Sequence, residues 1–164
     1  MTCSTAQSEN DHQLWSFELV SRTGPEITAL FKSWKPTILP QLLQLYEDSS
    51  QYFVLPSELR KSIWQETNLL RQPIRPHLFD YDDFVIRAKD AATGWARNRF
   101  QADIRGYSVL FGIIYGKAKN GPRAYNWYLA ADMFSLVFFD AQTGNEYGPA
   151  ALDSFGFEPT FALF

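Results

Sequence analysis

The sequence has few of the residues that most often perform catalysis at neutral pH. Its 164 residues include one cysteine, Cys3, and two histidines, His12 and His77. A single cysteine excludes an internal disulfide, and it fits a reducing intracellular setting. A cysteine peptidase built from this chain would have to bring Cys3 from its polar N-terminal segment into a cleft.

Positive charge and long hydrophobic runs are also scarce. Fifteen Lys and Arg residues face 18 Asp and Glu residues, for a net charge of −3, whereas nucleic-acid binding normally needs a basic face. No apolar run reaches the roughly 18 residues that a membrane span requires. The start, MTCSTAQSENDHQ, has no hydrophobic segment of the secretory kind. We therefore expect a cytoplasmic protein that binds neither nucleic acid nor membrane.

Aromatic residues are abundant, with 5 Trp, 8 Tyr and 14 Phe. They should dominate the packing and supply an aromatic-rich pocket or interface. The length suits one domain, so we predict a flexible tail over 1–12 and a single domain over 13–164.

Helical patterns precede strand patterns along the chain. We predict a strand over 13–20, a kinked helical stretch over 26–47, a helix capped by Ser57, and a central helix capped by Asp80 or Asp82. The segments YSVLFGIIYG, RAYNWYLA, FSLVFFDA and EPTFALF read as strands, and the middle two form a hairpin. This order predicts an α+β domain with N-terminal helices packed on a C-terminal antiparallel sheet.

Three segments, DYDDF, GPRAYNW and VFFDAQTGNEY, carry a family resemblance. Their order and spacing resemble the papain-like peptidase and dimerisation domain at the C-terminus of fungal agglutinins of the Marasmius oreades lectin type. The resemblance covers roughly Leu55 to Phe164. It implies a papain-like fold and a homodimer. The sugar-binding β-trefoil of that family has no counterpart in this sequence.

The resemblance also implies a position for each member of the catalytic triad. The family cysteine falls at or beside Tyr81, the histidine falls on Arg123, and the orienting carboxylate, usually Glu, falls on Asp140. A phenol with a pKa of about 10 is a poor nucleophile at neutral pH. A guanidinium stays protonated and is no base. Proteolysis is therefore not expected.

Two interpretations stay open for the charged residues of this region. Arg123 could form an ion pair with Asp140 across adjacent strands, or it could bind a carboxylate or phosphate. The acidic residues Asp80, Asp82 and Asp83 could cap the central helix. They could instead provide a general acid or base, or bind Ca²⁺, although no EF-hand loop is present.

Aromatic and polar residues complete the candidate site. Tyr107 and Tyr115 could pack in the core or line an apolar pocket, and His77 could be a surface residue or a catalyst. The ligand-binding candidates are His77, Asp83, Tyr125, Asn126, Trp127 and Gln142.

We predict a degenerate papain-like domain without proteolytic activity, which acts as a homodimerising binding module. Its ligand would be small and apolar or anionic, and no metal or cofactor is expected. The alternative is a repurposed isomerase, cyclase or hydrolase of fungal type, in which Tyr81, Asp82, Arg123 and Asp140 perform acid–base chemistry in the former protease cleft.

Overall fold

A computed structural model describes residues 20–99 and 106–164. The predicted tail, Cys3, His12 and nearly all of the predicted strand over 13–20 lie outside these ranges. The helices are α1 (Gly24–Trp34), α2 (Ser57–Glu66), α3 (Tyr81–Arg99) and α4 (Pro149–Ser154). The strands are β1 (Ser21–Thr23), β2 (Leu42–Leu43), β3 (Gln51–Phe53), β4 (Tyr107–Val109), β5 (Gly112–Ala118), β6 (Gly121–Leu129), β7 (Leu136–Phe139), β8 (Glu146–Tyr147) and β9 (Glu158–Leu163).

The helices begin largely where their sequence signals indicate. The backbone N–H of Thr23 donates to the Glu26 carboxylate at 2.7 Å, in a capping box that starts α1. The predicted kinked stretch is α1 followed by a 3₁₀ turn over Pro36–Gln41, because proline cannot continue an α-helix. The prediction is wrong for 42–47, where Leu42–Leu43 form β2 and 44–47 are not helical. Ser57 is already the first residue of α2, so the prediction that it caps this helix is wrong. In the part of the chain that the structure describes, no helix is long and apolar enough to cross a membrane.

The strands form two sheets. The larger has the order β2-β9-β5-β6-β7-β8, and all its pairs are antiparallel except β2 with β9. The smaller has the order β1-β3-β4. The α+β prediction is thus confirmed. The single strand predicted for YSVLFGIIYG is instead β4 and β5, which belong to different sheets and are separated at Leu110 and Phe111.

Buried aromatic residues form two main clusters. One includes Phe31 of α1 with Trp127, Phe138 and Phe157, and the other includes Phe84 of α3 with further side chains of the large sheet. The fully buried Asn126 joins α3 to the sheet: its amide donates to the carbonyls of Val85 at 2.9 Å and Gly112 at 3.2 Å. The start of α3 is thereby fixed against β5 and β6.

Candidate functional site

A groove lies between the start of α3 and the hairpin of β5 and β6. Its volume is about 620 Å³, within the range of small-molecule sites. One wall comes from the first turn of α3, the other from the hairpin and the neighbouring β9. The lining residues are Asp80, Tyr81, Asp82, Tyr115, Gly116, Lys117, Asn120, Pro122, Arg123, Ala124 and Thr160.

Arg123 and Tyr81 contact each other directly. The Cζ atom of Arg123 lies 4.3 Å from the centre of the Tyr81 ring, a cation–π contact. The Nη1 atom of Arg123 donates to the carbonyl of Pro122 at 2.9 Å. Both side chains are half-buried. The stack and the hydrogen bond orient the guanidinium, and its Nε and Nη2 remain as donors.

Three carboxylates gather at the N-terminus of α3. One oxygen from each of Asp80, Asp82 and Asp83 lies within 4.8 Å of the other two. The backbone N–H of Asp80 donates to Asp83 at 3.1 Å, and that of His77 donates to Asp80 at 3.4 Å. These acidic residues therefore cap the N-terminus of α3, as the capping interpretation predicts. The neighbouring Asp80 carboxyl group raises the pKa of Asp82, and burial adds to the effect.

Two tyrosines of the large sheet, Tyr115 and Tyr125, have pKa values above the ordinary value for a phenol. Burial raises the pKa of Tyr115, which lines the groove, and the charges of Asp82 and Asp83 raise it further. Burial also raises the pKa of Tyr125, with a smaller contribution from the charge of Asp140. Both phenols therefore stay protonated at neutral pH and can donate hydrogen bonds.

Asp140 does not line the groove, and it forms no ion pair with Arg123. It follows β7 at the start of a tight turn, where its Oδ1 accepts the backbone N–H groups of Gln142 at 2.9 Å and Thr143 at 3.3 Å. The interpretation of Arg123 and Asp140 as an ion pair is therefore wrong, and the reason is geometric. β7 ends at Phe139, opposite Asn126, so Arg123 lies three residues beyond the last paired position of β6.

The remaining candidates do not converge on the groove. His77 is exposed in a turn with a left-handed backbone (φ 64°). Asn126 and Trp127 are fully buried and bond to backbone carbonyls, and Gln142 belongs to the Asp140 turn. Tyr107 lies exposed in β4.

Three polar residues that line the groove are absent from the predicted set: Lys117, Asn120 and Thr160. Lys117 and Asn120 flank the turn between β5 and β6, where Ala118 pairs with Gly121. The sequence signal was the Lys-x-x-Asn-Gly turn itself, because a tight hairpin places residues on either side of it close to the ends of both strands. Thr160 had no local signal, since its place depends on the pairing of β9 with β5.

Comparison with known proteins gives a family match and several similar solved structures, two of which follow. A family model described as "Agglutinin C-terminal" matches residues 52–146. The Polyporus squamosus lectin, solved with the human-type influenza-binding epitope Neu5Aca2-6Galb1-4GlcNAc, is 31% identical with a TM-score of 0.76. The "PSL1a-E64 complex" is 30% identical with a TM-score of 0.73. Each alignment covers 88% of this chain, and 49% and 51% of the respective solved chains. This chain thus spans about half of their length. No curated protein matches the sequence.

Proposed function

The chain belongs to the agglutinin C-terminal family, and we propose that it is a binding domain without proteolytic activity, whose ligand occupies the groove between α3 and the β5–β6 hairpin. The observation that carries this proposal is the contact of Arg123 with Tyr81 on the wall of the groove. These residues stand where the resemblance to papain-like peptidases implies the histidine and the cysteine. A guanidinium cannot take a proton from a nucleophile at neutral pH, so the pair cannot perform thiol-type catalysis.

The same contact suits the binding of an anionic group. Among the described residues, neither Arg123 nor Lys117 has an acidic partner. An oriented guanidinium with free N–H donors is the usual protein group for a carboxylate or phosphate. The ligand is therefore a small molecule, or a segment of a larger one, with an anionic group.

Binding can be tested by titrating the protein with hexanoate and with inorganic phosphate, followed by NMR shifts of the backbone amides. We expect shifts at residues 115–124. Arg123→Gln should weaken binding about tenfold, because a hydrogen bond to a charged group contributes about 1.5–3 kcal/mol. Arg22→Gln is the matched control, since Arg22 also stacks on an aromatic ring, Phe134 at 4.4 Å, and does not line this groove. Equal binding by wild type and Arg123→Gln would refute the proposal.

Proteolysis can be tested directly with casein and with a fluorogenic peptide library. We expect no cleavage above that of a Tyr81→Phe variant. Cleavage that disappears in Cys3→Ala would show that the N-terminal segment supplies a working thiol, and the proposed absence of proteolysis would then be wrong.

We also propose that the domain forms homodimers, as the resemblance implies. Sedimentation velocity over a concentration series should show a mass that rises from 18.9 kDa toward twice that value. A constant monomer mass up to about 1 mM would remove this part of the proposal.

The alternative function is an enzyme that uses Tyr81 and Asp82 for acid–base chemistry. It is favoured by the raised pKa of Asp82 next to the Tyr81 phenol in the same groove. Incubation with a fungal metabolite extract, followed by mass spectrometry, tests it. An enzyme predicts a compound that wild type consumes and Asp82→Asn does not. A binding domain predicts compounds that are retained unchanged.

A further inference from the structure

Strand β6 extends beyond its neighbour β7 at the end that borders the groove. β7 ends at Phe139, which pairs with Asn126, whereas β6 begins at Gly121. In the part of the chain that the structure describes, residues 121–125 therefore pair with a strand on the β5 side only. Three of these residues line the groove: Pro122, Arg123 and Ala124. An unpaired edge of this kind can add the backbone of another chain as a further strand.

The register shows which backbone groups point out of this edge. In an antiparallel sheet, alternate residues of a strand bond to one neighbour and the residues between them bond to the other. The backbone N–H of Ala130 donates to Ser135, so the even-numbered residues of β6 face β7. Ala124 is the next of these beyond Asn126. Its side chain packs against Val85, while its backbone N–H and C=O have no partner on the β7 side among the described residues.

The series of backbone groups that an added strand could use ends at Pro122. Proline has no backbone N–H, and the Pro122 carbonyl already accepts the Nη1 atom of Arg123 at 2.9 Å. This carbonyl points out of the same edge as the Ala124 groups, so the guanidinium bonded to it also lies at the edge. A strand that pairs with Ala124 and runs in the direction of β7 therefore leads directly to the guanidinium.

We infer that this edge binds the carboxyl terminus of a peptide, with the penultimate residue paired with Ala124 and the α-carboxylate at Arg123. This inference rests on the proposed function and names the class of its anionic ligand. A chain that continued past this point would bring further backbone groups to Pro122, which cannot pair with them. A chain that ends there brings a carboxylate to a guanidinium whose Nε and Nη2 remain as donors.

Lys117 adds to the preference for a carboxylate. It lies opposite Pro122 in the neighbouring strand β5 and lines the same groove. Like Arg123, it has no acidic partner among the described residues. A free anion would satisfy these two cations and leave the Ala124 backbone groups unpaired. A peptide terminus satisfies the cations and the backbone groups together.

The test uses acetyl-trialanine with a free carboxylate, its C-terminal amide, and two N-methylated forms of the free acid, each titrated and followed by NMR shifts of the backbone amides. The free acid should bind about tenfold more tightly than the amide, because only the acid offers a charged acceptor. Methylation of the penultimate nitrogen should weaken binding about fivefold, since that N–H donates to the Ala124 carbonyl. Methylation of the terminal nitrogen should change the affinity less than about twofold, since that N–H points away from β6.

A variant assigns the carboxylate to its partner. Arg123→Gln should remove the advantage of the free acid over the amide, and Arg22→Gln, which lies outside the groove, should keep it. The outcomes separate the two proposals. Equal binding of acid and amide, or of the two N-methylated forms, overturns the peptide terminus, and the proposed function still stands if hexanoate binds through Arg123. No Arg123-dependent binding of hexanoate or of the free acid overturns both.

Discussion

Substitution of Asp140 distinguishes two roles for this residue. A role in the turn predicts a loss of stability, whereas a direct role in the site predicts a loss of ligand binding. In the structure it stabilises the turn after β7 by accepting the N–H groups of Gln142 and Thr143. A hydrogen bond to a charged group contributes about 1.5–3 kcal/mol. The bond from Thr143 is long at 3.3 Å, so we count only the bond from Gln142 in full. We therefore expect Asp140→Ala to lower the free energy of unfolding by about 2 kcal/mol. For a domain of this size that corresponds to a fall in Tm of about 4–8 °C.

Asp140→Asn distinguishes a structural role of Asp140 in the turn from a direct role in the site, because it removes the charge and keeps an acceptor oxygen. The amide oxygen can still accept both N–H groups, so we expect a loss of about 1 kcal/mol or less. Ligand binding at the groove should change little in either variant, since Asp140 does not line it. Thermal unfolding followed by circular dichroism measures the stability of each variant, and the hexanoate titration measures its ligand binding.

The control is Asp132→Ala, because Asp132 makes a similar turn at the tip between β6 and β7. Its Oδ1 accepts the N–H groups of Phe134 at 2.8 Å and Ser135 at 2.9 Å. We expect a comparable loss of stability there. An unchanged Tm in Asp140→Ala would refute the account of Asp140 as a turn residue, and loss of binding in Asp140→Asn would support a direct role in the site.

Three further predictions concern stability. Gly144→Ala should cost about 2 kcal/mol or more in urea unfolding, since Gly144 has a φ of +77° and an added Cβ would lie 2.4 Å from the Trp64 ring. Arg60→Met should cost about 1–3 kcal/mol, because it removes the ion pair with Glu146 at 3.7 Å and the hydrogen bond to the Leu55 carbonyl, and a double-mutant cycle with Glu146→Gln measures the coupling of the ion pair. Burial lowers the pKa of Lys89 from 10.5 to about 8. The unfolded state therefore binds more protons between these values, stability should rise from about pH 8 to about pH 10, and Lys89→Met should remove this rise in urea unfolding.

Each of these predictions has a matched comparison. Gly148→Ala should be close to neutral, because an added Cβ there meets nothing within 4 Å. Additive losses for Arg60→Met and Glu146→Gln would show that the pair is not coupled. Lys61 is exposed, so Lys61→Met should keep the rise in stability with pH. A rise that persists in Lys89→Met would mean that another group causes it.

The fold was predictable where a local signal decides the structure. The capping box of α1 and the acidic turn before α3 identify both helix starts, since a short side chain satisfies nearby backbone N–H groups. The break between β4 and β5 was not predictable from hydrophobicity, because the residues on both sides of it are apolar. It is fixed by distant partners: β4 pairs with β3, and the Lys89 ammonium donates to the Phe111 carbonyl at 2.8 Å.

The site was predictable in part for the same reason. Tyr81, Asp82 and Arg123 line one groove, as their order in the family resemblance suggests. The resemblance implies a catalytic carboxylate at Asp140, but Asp-x-x-Thr-Gly is also a turn signal, and the turn determines the position of Asp140. The opposite charges of Arg123 and Asp140 on neighbouring strands suggest an ion pair from the sequence alone. Only the register of β6 with β7 shows that Arg123 and Asp140 do not pair.

The position of β9 has a consequence for the biogenesis of the domain. β9 lies between β2 and β5 in the large sheet and pairs Ala162 with Leu42, 120 positions earlier in the chain. β9 is synthesised after the strands β5–β8, although it is the strand that joins them to β2 in the N-terminal half. When β5–β8 have left the ribosome, β9 is still inside it. Closure of the sheet must therefore await emergence of Glu158–Leu163. Until then the β2 segment and the outer edge of β5 are without their partner, which exposes them to chaperones and to pairing with other chains.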